Sequence, residues 1–503
     1  MKRNVMIILI VLTASMLFST NGMNMIGYGP RSSAMGGFSL GLLDDANSVN
    51  TNPAAIAFFK NKQLDINLGL LIPKVNFENS INDVEGESQI FPLPNFSYVH
   101  GANNSFTFGL GVYSQGGMGA TYKDVKHDVF RQYDMDPMTP DDPYIGDLEY
   151  HSMIAYFKIM PTLAYQINPH FSLGISPSFG YAMMEMKMPY SILPSEMVGV
   201  VNSQTGMTFG DMFGAHMDQG GLGYQEITAY ADMGDGATAM GIGARVGASY
   251  RLNESFTLGF SYSSKSTLTL EGDASMDMTA QFGQAYERMV GGAMQQGAPD
   301  LATAQEGVNQ NLSDMGIDMS LGMIAEYDAE IEISWPQEVG IGFAYKANSQ
   351  LLLGADFKWI GWKASMEEFK MKFNNGNNQN INTMMGSEDL EFAMPMDWED
   401  QFVIALGAEY AINPMFDIRA GYNFGNNPVP EETVIPIFPA VVENHITMGL
   451  GVNINQRLSL DMAYELNLNK ELEVNESKIA NEYDYSTSSL SENVLHFGIS
   501  YKL

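Results

Sequence analysis

The sequence predicts an all-β protein, a transmembrane barrel of fourteen antiparallel strands with an N-terminal plug inside its lumen. Three observations support this prediction. The chain has 50 glycines, 24 tyrosines and 28 phenylalanines among 503 residues, a composition typical of β-structure. No segment beyond the first 22 residues is apolar enough to span a membrane as a helix. One turn pattern recurs six times between stretches of alternating apolar and polar residues.

The charge and cysteine content exclude several functions. Lys and Arg number 25, Asp and Glu number 58, and the net charge is −33. Nucleic acid is bound by clustered positive charge, so it is not a predicted partner. The chain has no cysteine, which excludes disulfides, thiolate metal sites and a cysteine nucleophile. We predict no metal site and no cofactor.

Residues 1–22 are predicted to be a secretory signal peptide. Lys2 and Arg3 precede the apolar run from Val5 to Phe18, and small polar residues follow that run. The run is shorter than the roughly 20 residues of a membrane-spanning helix. An uncleaved N-terminal anchor is the alternative. We therefore expect an exported protein that enters a membrane only with strands.

Each copy of the turn pattern is an Asn with large apolar residues three and five positions later. The six copies begin at Asn103, Asn168, Asn253, Asn348, Asn413 and Asn455. In four copies a Tyr lies three residues before the Asn, at Tyr165, Tyr250, Tyr345 and Tyr410. Asn favours turns because it tolerates left-handed backbone and hydrogen-bonds nearby amides. Six short turns predict twelve strands.

An opening strand at Gln63–Phe77 and a closing strand at Val494–Leu503 raise the predicted count to fourteen, the even number typical of bacterial outer-membrane barrels. Short turns at one end and long loops at the other are typical of the same class, and tyrosines beside the turns fit an aromatic girdle. Alternation alone would also fit a β-sandwich. The predicted location is the outer membrane of a Gram-negative-type bacterium, crossed many times by a monomer in contact with lipid.

The chain is predicted to have three parts: the signal peptide, an N-terminal segment of residues 23–61 and the barrel of residues 62–503. Residues 23–61 are rich in glycine and do not alternate. A fourteen-stranded barrel encloses more volume than its own side chains fill, so this segment is predicted to plug it. Two long connections near 188–239 and 272–327 are predicted to be extracellular. They are rich in Met, which suits varied apolar ligands.

Several motifs resemble the FadL family of outer-membrane transporters for long-chain fatty acids and other hydrophobic compounds. The N-terminal ones are Gly36-Gly37, Asp44-Asp45 and Asn52-Pro53-Ala54, which resemble the family's hatch motif. The later ones are Trp335-Pro336 and the stretch from Gly421 to Pro430. The resemblance spans nearly the whole mature chain.

The resemblance implies diffusion-driven uptake of a hydrophobic molecule, with long-chain fatty acids as the first expectation. It implies capture between two long extracellular loops, binding against the N-terminal hatch, and sideways release through the wall at the third strand. Gly116, Gly117 and Gly119 lie in that strand and are the candidates for the opening, since glycines are where a strand can bend or gap.

A fatty-acid carboxylate requires a cationic partner, and three lysines are candidates by location only: Lys187, Lys358 and Lys363. An inward-facing salt bridge is the alternative role for each. An uncharged hydrocarbon is the alternative substrate.

A structural or adhesive barrel without transport is the main alternative. An enzyme is not predicted. His151 and Ser152 are the one adjacent pair that suggests a nucleophile and its base, but neighbours on a strand point to opposite faces. The four tryptophans, Trp335, Trp359, Trp362 and Trp398, are predicted to form an interface belt, with a ligand groove as the second option.

Overall fold

The computed structural model describes residues 21–101, 105–127, 145–216 and 219–503, with the backbone alone at 145–147. Nearly all of the predicted signal peptide and the first predicted turn at Asn103 lie outside the described residues. In the part that is described, no helix is long and apolar enough to cross a membrane.

The chain is mostly β-structure. The strands are β1 Lys62–Glu78, β2 Asp83–Glu85, β3 Phe91–His100, β4 Phe106–His127, β5 Ile145–Asn168, β6 Phe171–Ile192, β7 Val200–Asn202, β8 Met207–Thr208, β9 Ile227–Asp232, β10 Ala237–Arg251, β11 Phe256–Ser263, β12 Ser266–Asp277, β13 Ile324–Trp335, β14 Glu338–Lys346, β15 Leu351–Ile360, β16 Glu368–Asn374, β17 Leu390–Pro395, β18 Gln401–Asn413, β19 Phe416–Gly425, β20 Asn444–Asn453, β21 Leu458–Asn467, β22 Lys470–Glu473 and β23 Thr487–Lys502. The α-helices are α1 Pro30–Ser33, α2 Ser48–Thr51, α3 Phe209–Gly214, α4 Thr279–Gln295, α5 Leu301–Asp314 and α6 Gln379–Met385.

The strands close into one antiparallel barrel. Neighbours along the chain pair around the wall, and the first strand β1 pairs with the last strand β23 from Gln63↔Lys502 to Glu78↔Thr487. Closure leaves the wall without a free edge at this joint, which is how a sheet satisfies its backbone groups in lipid.

The strand count differs from the prediction. The closed barrel contains 16 long strands within the described residues, not fourteen. The difference arises because two predicted strands are each interrupted, one at Ser264-Lys265 between β11 and β12, the other at Pro336-Gln337 between β13 and β14. Proline has no amide hydrogen for a sheet ladder, which accounts for the second break.

The turns between strands share one hydrogen-bond motif. In each of the five described copies the Asn side-chain oxygen accepts hydrogen bonds from the backbone N–H groups two and three residues later, at 2.8–3.1 Å; the copies are at Asn168, Asn253, Asn348, Asn413 and Asn455. This is an Asx turn, which explains why the sequence repeats Asn at these points.

Apolar side chains cover the outer face. Beside the short turns, Tyr165, Tyr250, Tyr345 and Tyr410 are 41–43 % exposed, as expected of a girdle at the membrane surface. Inward positions near the same end of the wall are largely small or polar, such as Ser172, Ser249 and Asp356.

The long connections are shorter than predicted. Strand β6 continues to Ile192, and β9 begins at Ile227, so the first connection is reduced to residues 193–226. Within the second, β12 extends to Asp277 and β13 begins at Ile324, with α4 and α5 between them. The inward residues that extend β6 and β9, such as Met188 and Ala229, are buried.

Candidate functional site

The N-terminal segment, residues 21–61, is enclosed by the wall. Its hydrogen bonds reach strands all around the barrel. Gly36 N donates to Oγ1 of Thr447 on β20 at 2.8 Å, and Ser39 N donates to Oδ2 of Asp356 on β15 at 2.8 Å. On the opposite side, the Ser172 hydroxyl of β6 donates to the carbonyl oxygen of Ala54 at 2.8 Å. The segment therefore fills the lumen at the end with the short turns.

Glycines of neighbouring strands form the wall where it meets this segment. We call them the glycine belt; its paired members are Gly174 with Gly247, Gly259 with Gly342, and Gly354 with Gly407 and then Gly421. A methyl group on Gly407 would lie 2.6 Å from Cβ of Met35, and one on Gly421 would overlap the backbone nitrogen of Gly36. The segment thus touches the wall backbone directly, which only glycine permits.

Buried ion pairs fix one side of the segment. The Arg31 guanidinium donates from Nε and Nη2 to the two carboxylate oxygens of Glu409 on β18, both at 2.8 Å. Arg419 on β19 donates from Nε to Glu409 at 2.7 Å and also pairs with Asp461. Bidentate pairs of this kind are specific in geometry as well as strong. Arg31 also pairs with the exposed carboxylate of Asp44 at 3.0 Å.

The predicted hatch-motif residues lie together in this segment. The amide of Asn52 donates to the Leu40 carbonyl and to the Ser249 hydroxyl, both at 3.0 Å, while its oxygen accepts from Ala54 N at 3.2 Å. Pro53 and Ala54 continue into the short 3₁₀ helix Pro53–Phe58, which packs on β6. Asn52 therefore links two parts of the segment to each other and to β10.

The other motif residues shape the chain. Gly36 and Gly37 have φ of 66° and 83°, the left-handed region that favours glycine. Asp45 is buried and accepts hydrogen bonds from the backbone and side-chain N–H groups of Asn47 at 2.9 and 3.0 Å. Burial raises the pKa of the Asp45 carboxyl above its usual range, and nearby Arg31 opposes this.

The predicted opening coincides with an interruption of the wall. Strands β3 and β4 pair only from His100↔Phe108 to Asn95↔Tyr113. Beyond Tyr113 the β4 chain bulges, and Gly117 N donates instead to the Met23 carbonyl of the N-terminal segment at 3.1 Å. A side chain on Gly116 would overlap that same carbonyl.

Gly119 lies at the far end of the same interruption, where a methyl group would meet the Phe91 ring at 2.7 Å. The facing strand contains Pro92 and Pro94, which have no N–H to offer. The three predicted glycines therefore border one gap in the β3–β4 ladder.

The three candidate lysines do not form one site. Lys187 alternates with the outward residues of β6 and pairs with Asp232 at 3.0 Å, so it lies on the outer face and not in the lumen. Lys363 is exposed in the break between β15 and β16. Lys358 alone shares the inward face of β15 with Asp356. Lys187 therefore does not face the lumen, because position along the chain alone does not specify which face a strand residue takes. The roles of Lys358 and Lys363 stay predictions.

Two lumenal cations were missed by sequence reasoning. Arg245 on β10 is 3 % exposed and pairs with Glu338 at 3.1 Å. Lys158 on β5 is 4 % exposed, and its Nζ lies 5.2 Å from the centre of the Tyr156 ring. Among the described residues no hydrogen bond or ion pair to Lys158 is present. The alternation of β5, which puts Lys158 on the same face as Ile154, Tyr156 and Met160, was the available signal.

An aromatic column crosses the lumen above Lys158. The Tyr156 and Trp335 ring centres lie 4.8 Å apart, those of Trp335 and Trp362 6.3 Å, and those of Trp362 and Trp398 5.1 Å. The three tryptophans are at most 2 % exposed. The interface belt predicted for the four tryptophans is therefore wrong for three of them, and only Trp359 takes the outer face. Trp362 and Trp398 turn inward because the breaks after β15 and β17 release them from strand alternation.

A cleft opens toward the long loops beyond this column. The apolar side of its lining includes Met188, Tyr190, Met394, Pro395, Ile479 and Tyr483. The charged residues of the lining are Glu196, Glu226, Lys478 and Glu482. The cleft lies between the loop after β6, strand β17 and the loop before β23. It does not involve residues 278–323, the loop predicted to share in capture.

The fold defines a class of protein, a closed antiparallel β-barrel whose N-terminal segment makes hydrogen bonds to inward-facing residues of the wall. Residues 13–502 match the family model for the outer membrane protein transport protein (OMPP1/FadL/TodX). The chain belongs to this family. It is accordingly a multi-pass outer-membrane protein and a channel for hydrophobic compounds, not an enzyme.

Solved structures with the same fold include three transporters or their homologues. The Pseudomonas putida toluene transporter TodX is 18 % identical with a TM-score of 0.67, covering 96 % of this chain and 100 % of that one. The Ralstonia pickettii toluene transporter TbuX is 16 % identical with a TM-score of 0.63, covering 94 % and 98 %. A Pseudomonas aeruginosa FadL homologue is 17 % identical with a TM-score of 0.65, covering 97 % and 99 %.

One curated relative also matches. It is an uncharacterized protein from the phosphoenolpyruvate carboxykinase gene 5′ region of Chlorobium limicola, 30 % identical over 116 residues. The match covers 23 % of this chain and 56 % of that protein.

Proposed function

We propose that this protein takes up long-chain fatty acids by diffusion, as a monomer, with the carboxylate held at Lys158 during passage. The observation that carries this proposal is the ammonium of Lys158, buried in the lumen without a hydrogen bond or an ion pair among the described residues. A buried charge without a direct partner costs several kcal/mol, and a ligand carboxylate would offset that cost. Arg245 cannot play this role equally, since Glu338 already neutralises it.

The surroundings of Lys158 suit an acyl chain. Tyr156 and the aromatic column offer apolar contact on the loop side, and the N-terminal segment closes the lumen on the other side. We infer that the cleft at Met188 and Tyr190 receives the ligand first, and that the column passes it inward. Each buried methylene is worth about 0.8 kcal/mol, so an apolar path favours a long chain.

We further propose that residues 23–61 act as the hatch and that residues 1–22 are the signal peptide. Asn52 and the Arg31–Glu409 pair anchor this hatch to the wall. Release is proposed to be lateral, through the gap bordered by Gly116, Gly117 and Gly119. The Met23 carbonyl closes that gap by accepting from Gly117 N, so a small shift of the hatch would open it.

A neutral aromatic hydrocarbon is the second candidate substrate. The stacked rings of Trp335, Trp362 and Trp398 favour it, because aromatic rings gain from edge contacts with one another. Two of the similar structures are toluene transporters. A neutral ring would not use the Lys158 charge, and this difference separates the candidates.

The test is uptake of labelled oleate and labelled toluene by cells that lack their own such channel and carry this protein. Lys158→Met is expected to lower oleate uptake and to leave toluene uptake unchanged. Lys187→Met is the matched control, since it also removes one lysine of the wall but on the outer face. Toluene uptake without oleate uptake would favour the second substrate.

The same assay tests the hatch and the main alternative. Deletion of residues 52–54 is expected to alter uptake of both compounds, because Asn52 anchors the hatch. If a folded barrel with its native sequence takes up neither compound, the proposal is wrong and a structural or adhesive role gains support.

A further inference from the structure

A second interruption of the wall lies between β10 and β12. On one side, β10 pairs with β6 without a gap from Ala237↔Met184 to Tyr250↔Phe171. On the other side, it pairs with β12 only at Thr238↔Glu271. The next backbone hydrogen bond is at Ala244, whose carbonyl accepts from Ser264 N at 2.9 Å, although Gly241 and Gly243 still lie against Thr267, Leu268 and Ser266. Between Thr238 and Ala244 no residue of β10 is paired with β12 in the described part of the chain.

The breaks after β15 and after β17 are bridged by backbone hydrogen bonds. After β15, Gly361 N donates to the Gln337 carbonyl at 2.9 Å, and Trp398 N donates to the Met366 carbonyl at 3.1 Å. Unpaired backbone groups are costly in lipid. A stretch of the wall without ladder pairs is therefore unfavourable for stability, and a function would explain why the barrel retains it.

The open stretch, which we call the β10–β12 seam, lies at the level of the outer leaflet. Met240 is ten residues along β10 from Tyr250, one of the girdle tyrosines beside the short turns. At the usual rise per residue this is roughly 33 Å along the strand, and the tilt of the strand makes it about 25 Å along the membrane normal. Met240 and Ile242 are 85 % and 77 % exposed, more than the other large apolar residues of the wall. The outer side of the seam therefore faces lipid acyl chains or their boundary.

One side chain closes the seam from within. A methyl group on Gly241 would lie 2.6 Å from Cδ2 of Leu268, which is fully buried. Gly241 pairs with Gly180 on β6. A methyl group on Gly180 would overlap the Tyr156 ring. Because Tyr156 also lies beside Lys158, the seam opens toward the proposed carboxylate site.

We propose that the β10–β12 seam is a second lateral passage for the acyl chain, with Leu268 as its gate; this rests on the proposed function. Tyr156 pairs with Gly116 on its other side, so the Lys158 site lies between the two interruptions. A carboxylate held at Lys158 would leave the apolar tail free to reach the outer leaflet through the seam.

Engineered disulfides test this passage, because the chain has no cysteine of its own. Extending the Thr238↔Glu271 register places Met240 opposite Thr269, so Met240→Cys with Thr269→Cys would lock the seam. Met240→Cys with Tyr181→Cys is the matched control, since these residues pair across the intact β6–β10 ladder. Both are oxidised after assembly in the membrane, and initial oleate uptake is measured before and after reduction.

The expected result is a partial loss of oleate uptake in the oxidised seam variant, because the β3–β4 gap is still available, with uptake restored by reductant and no loss in the control. Unchanged uptake with the seam disulfide formed would overturn the inference. Equal loss in both variants would also overturn it, because the effect would then reflect stiffening of β10. Neither result touches the Lys158 dependence, which tests the proposed function separately.

A second pair of variants decides the matter if the disulfide does not form. Leu268→Trp should slow oleate uptake by filling the gate, whereas Leu270→Trp, at the next inward position of β12, should not. Equal rates for the two variants would overturn the assignment of Leu268.

Discussion

Asn52→Ala is expected to loosen the hatch without unfolding the barrel. The Asn52 amide makes two donor bonds at 3.0 Å, to the Leu40 carbonyl and the Ser249 hydroxyl, and accepts from Ala54 N. The side chain is fully buried, so the substitution leaves these groups without water to replace it. Each lost bond costs about 0.5–1.5 kcal/mol and each orphaned buried group about 1–3 kcal/mol.

Taken together, these losses amount to about 3 kcal/mol, which corresponds to roughly a 100-fold increase in the opening equilibrium of the hatch. Hydrogen–deuterium exchange of residues 40–56 in the assembled protein measures this directly. Exchange of the barrel strands should not change. The increase should be confined to amides of the N-terminal segment.

Asn50→Ala is the matched control. Asn50 is equally buried in the same segment, but its amide makes only a long bond of 3.4 Å to Gln115, and its oxygen has no partner within the described residues. Its replacement should speed exchange far less. Equal acceleration in the two variants, or none in either, would refute the assignment of Asn52 as the anchor.

Two further outcomes follow from the same segment. Glu409→Gln should lower the urea midpoint by an amount equivalent to about 3 kcal/mol, because the buried guanidinium of Arg419 and the partly buried one of Arg31 lose their shared carboxylate. Glu473→Gln, at an exposed site on β22, should change the midpoint little. The pKa of the Asp45 carboxyl is raised, so the folded state binds a proton there more tightly than the unfolded chain does. The stability of the hatch is therefore expected to fall as the pH rises from about 3.9, the usual pKa of Asp, through the raised value. Asp45→Asn should remove that dependence in exchange measured across this range, and an unaltered pH profile would show that Asp45 does not titrate there.

The wall was predictable because its local rules are strong. Asn at each described turn forms the same Asx motif, and the alternation of β21 and β23 places Leu460 and Phe497 outward as expected. The opening strand was predicted at Gln63–Phe77 and is Lys62–Glu78. The predicted glycines at Gly116, Gly117 and Gly119 border a gap in the ladder, although their role in release stays a prediction.

The lumen was less predictable because it depends on contacts between distant residues. Lys158 and Lys187 lie on the neighbouring strands β5 and β6. Only the register of each strand decides that Lys158 faces the lumen and Lys187 the outer side. Trp362 and Trp398 lie in strand breaks, where the period of two no longer specifies a face. The pairing of Arg31 with Glu409 joins residues 378 positions apart and left no local signal.

The glycine belt constrains the order in which the molecule can be assembled. The wall backbone and the N-terminal segment meet there without side chains between them, so a finished barrel offers no clearance through which the segment could enter. The segment is synthesised first, yet its partners, such as Thr447, come some 400 residues later. We therefore expect the segment to remain unenclosed until the later strands have formed, and to be enclosed before β23 pairs with β1. Long-range closure of this kind folds slowly, and the belt would make the incomplete barrel dependent on protection until its last strand is in place.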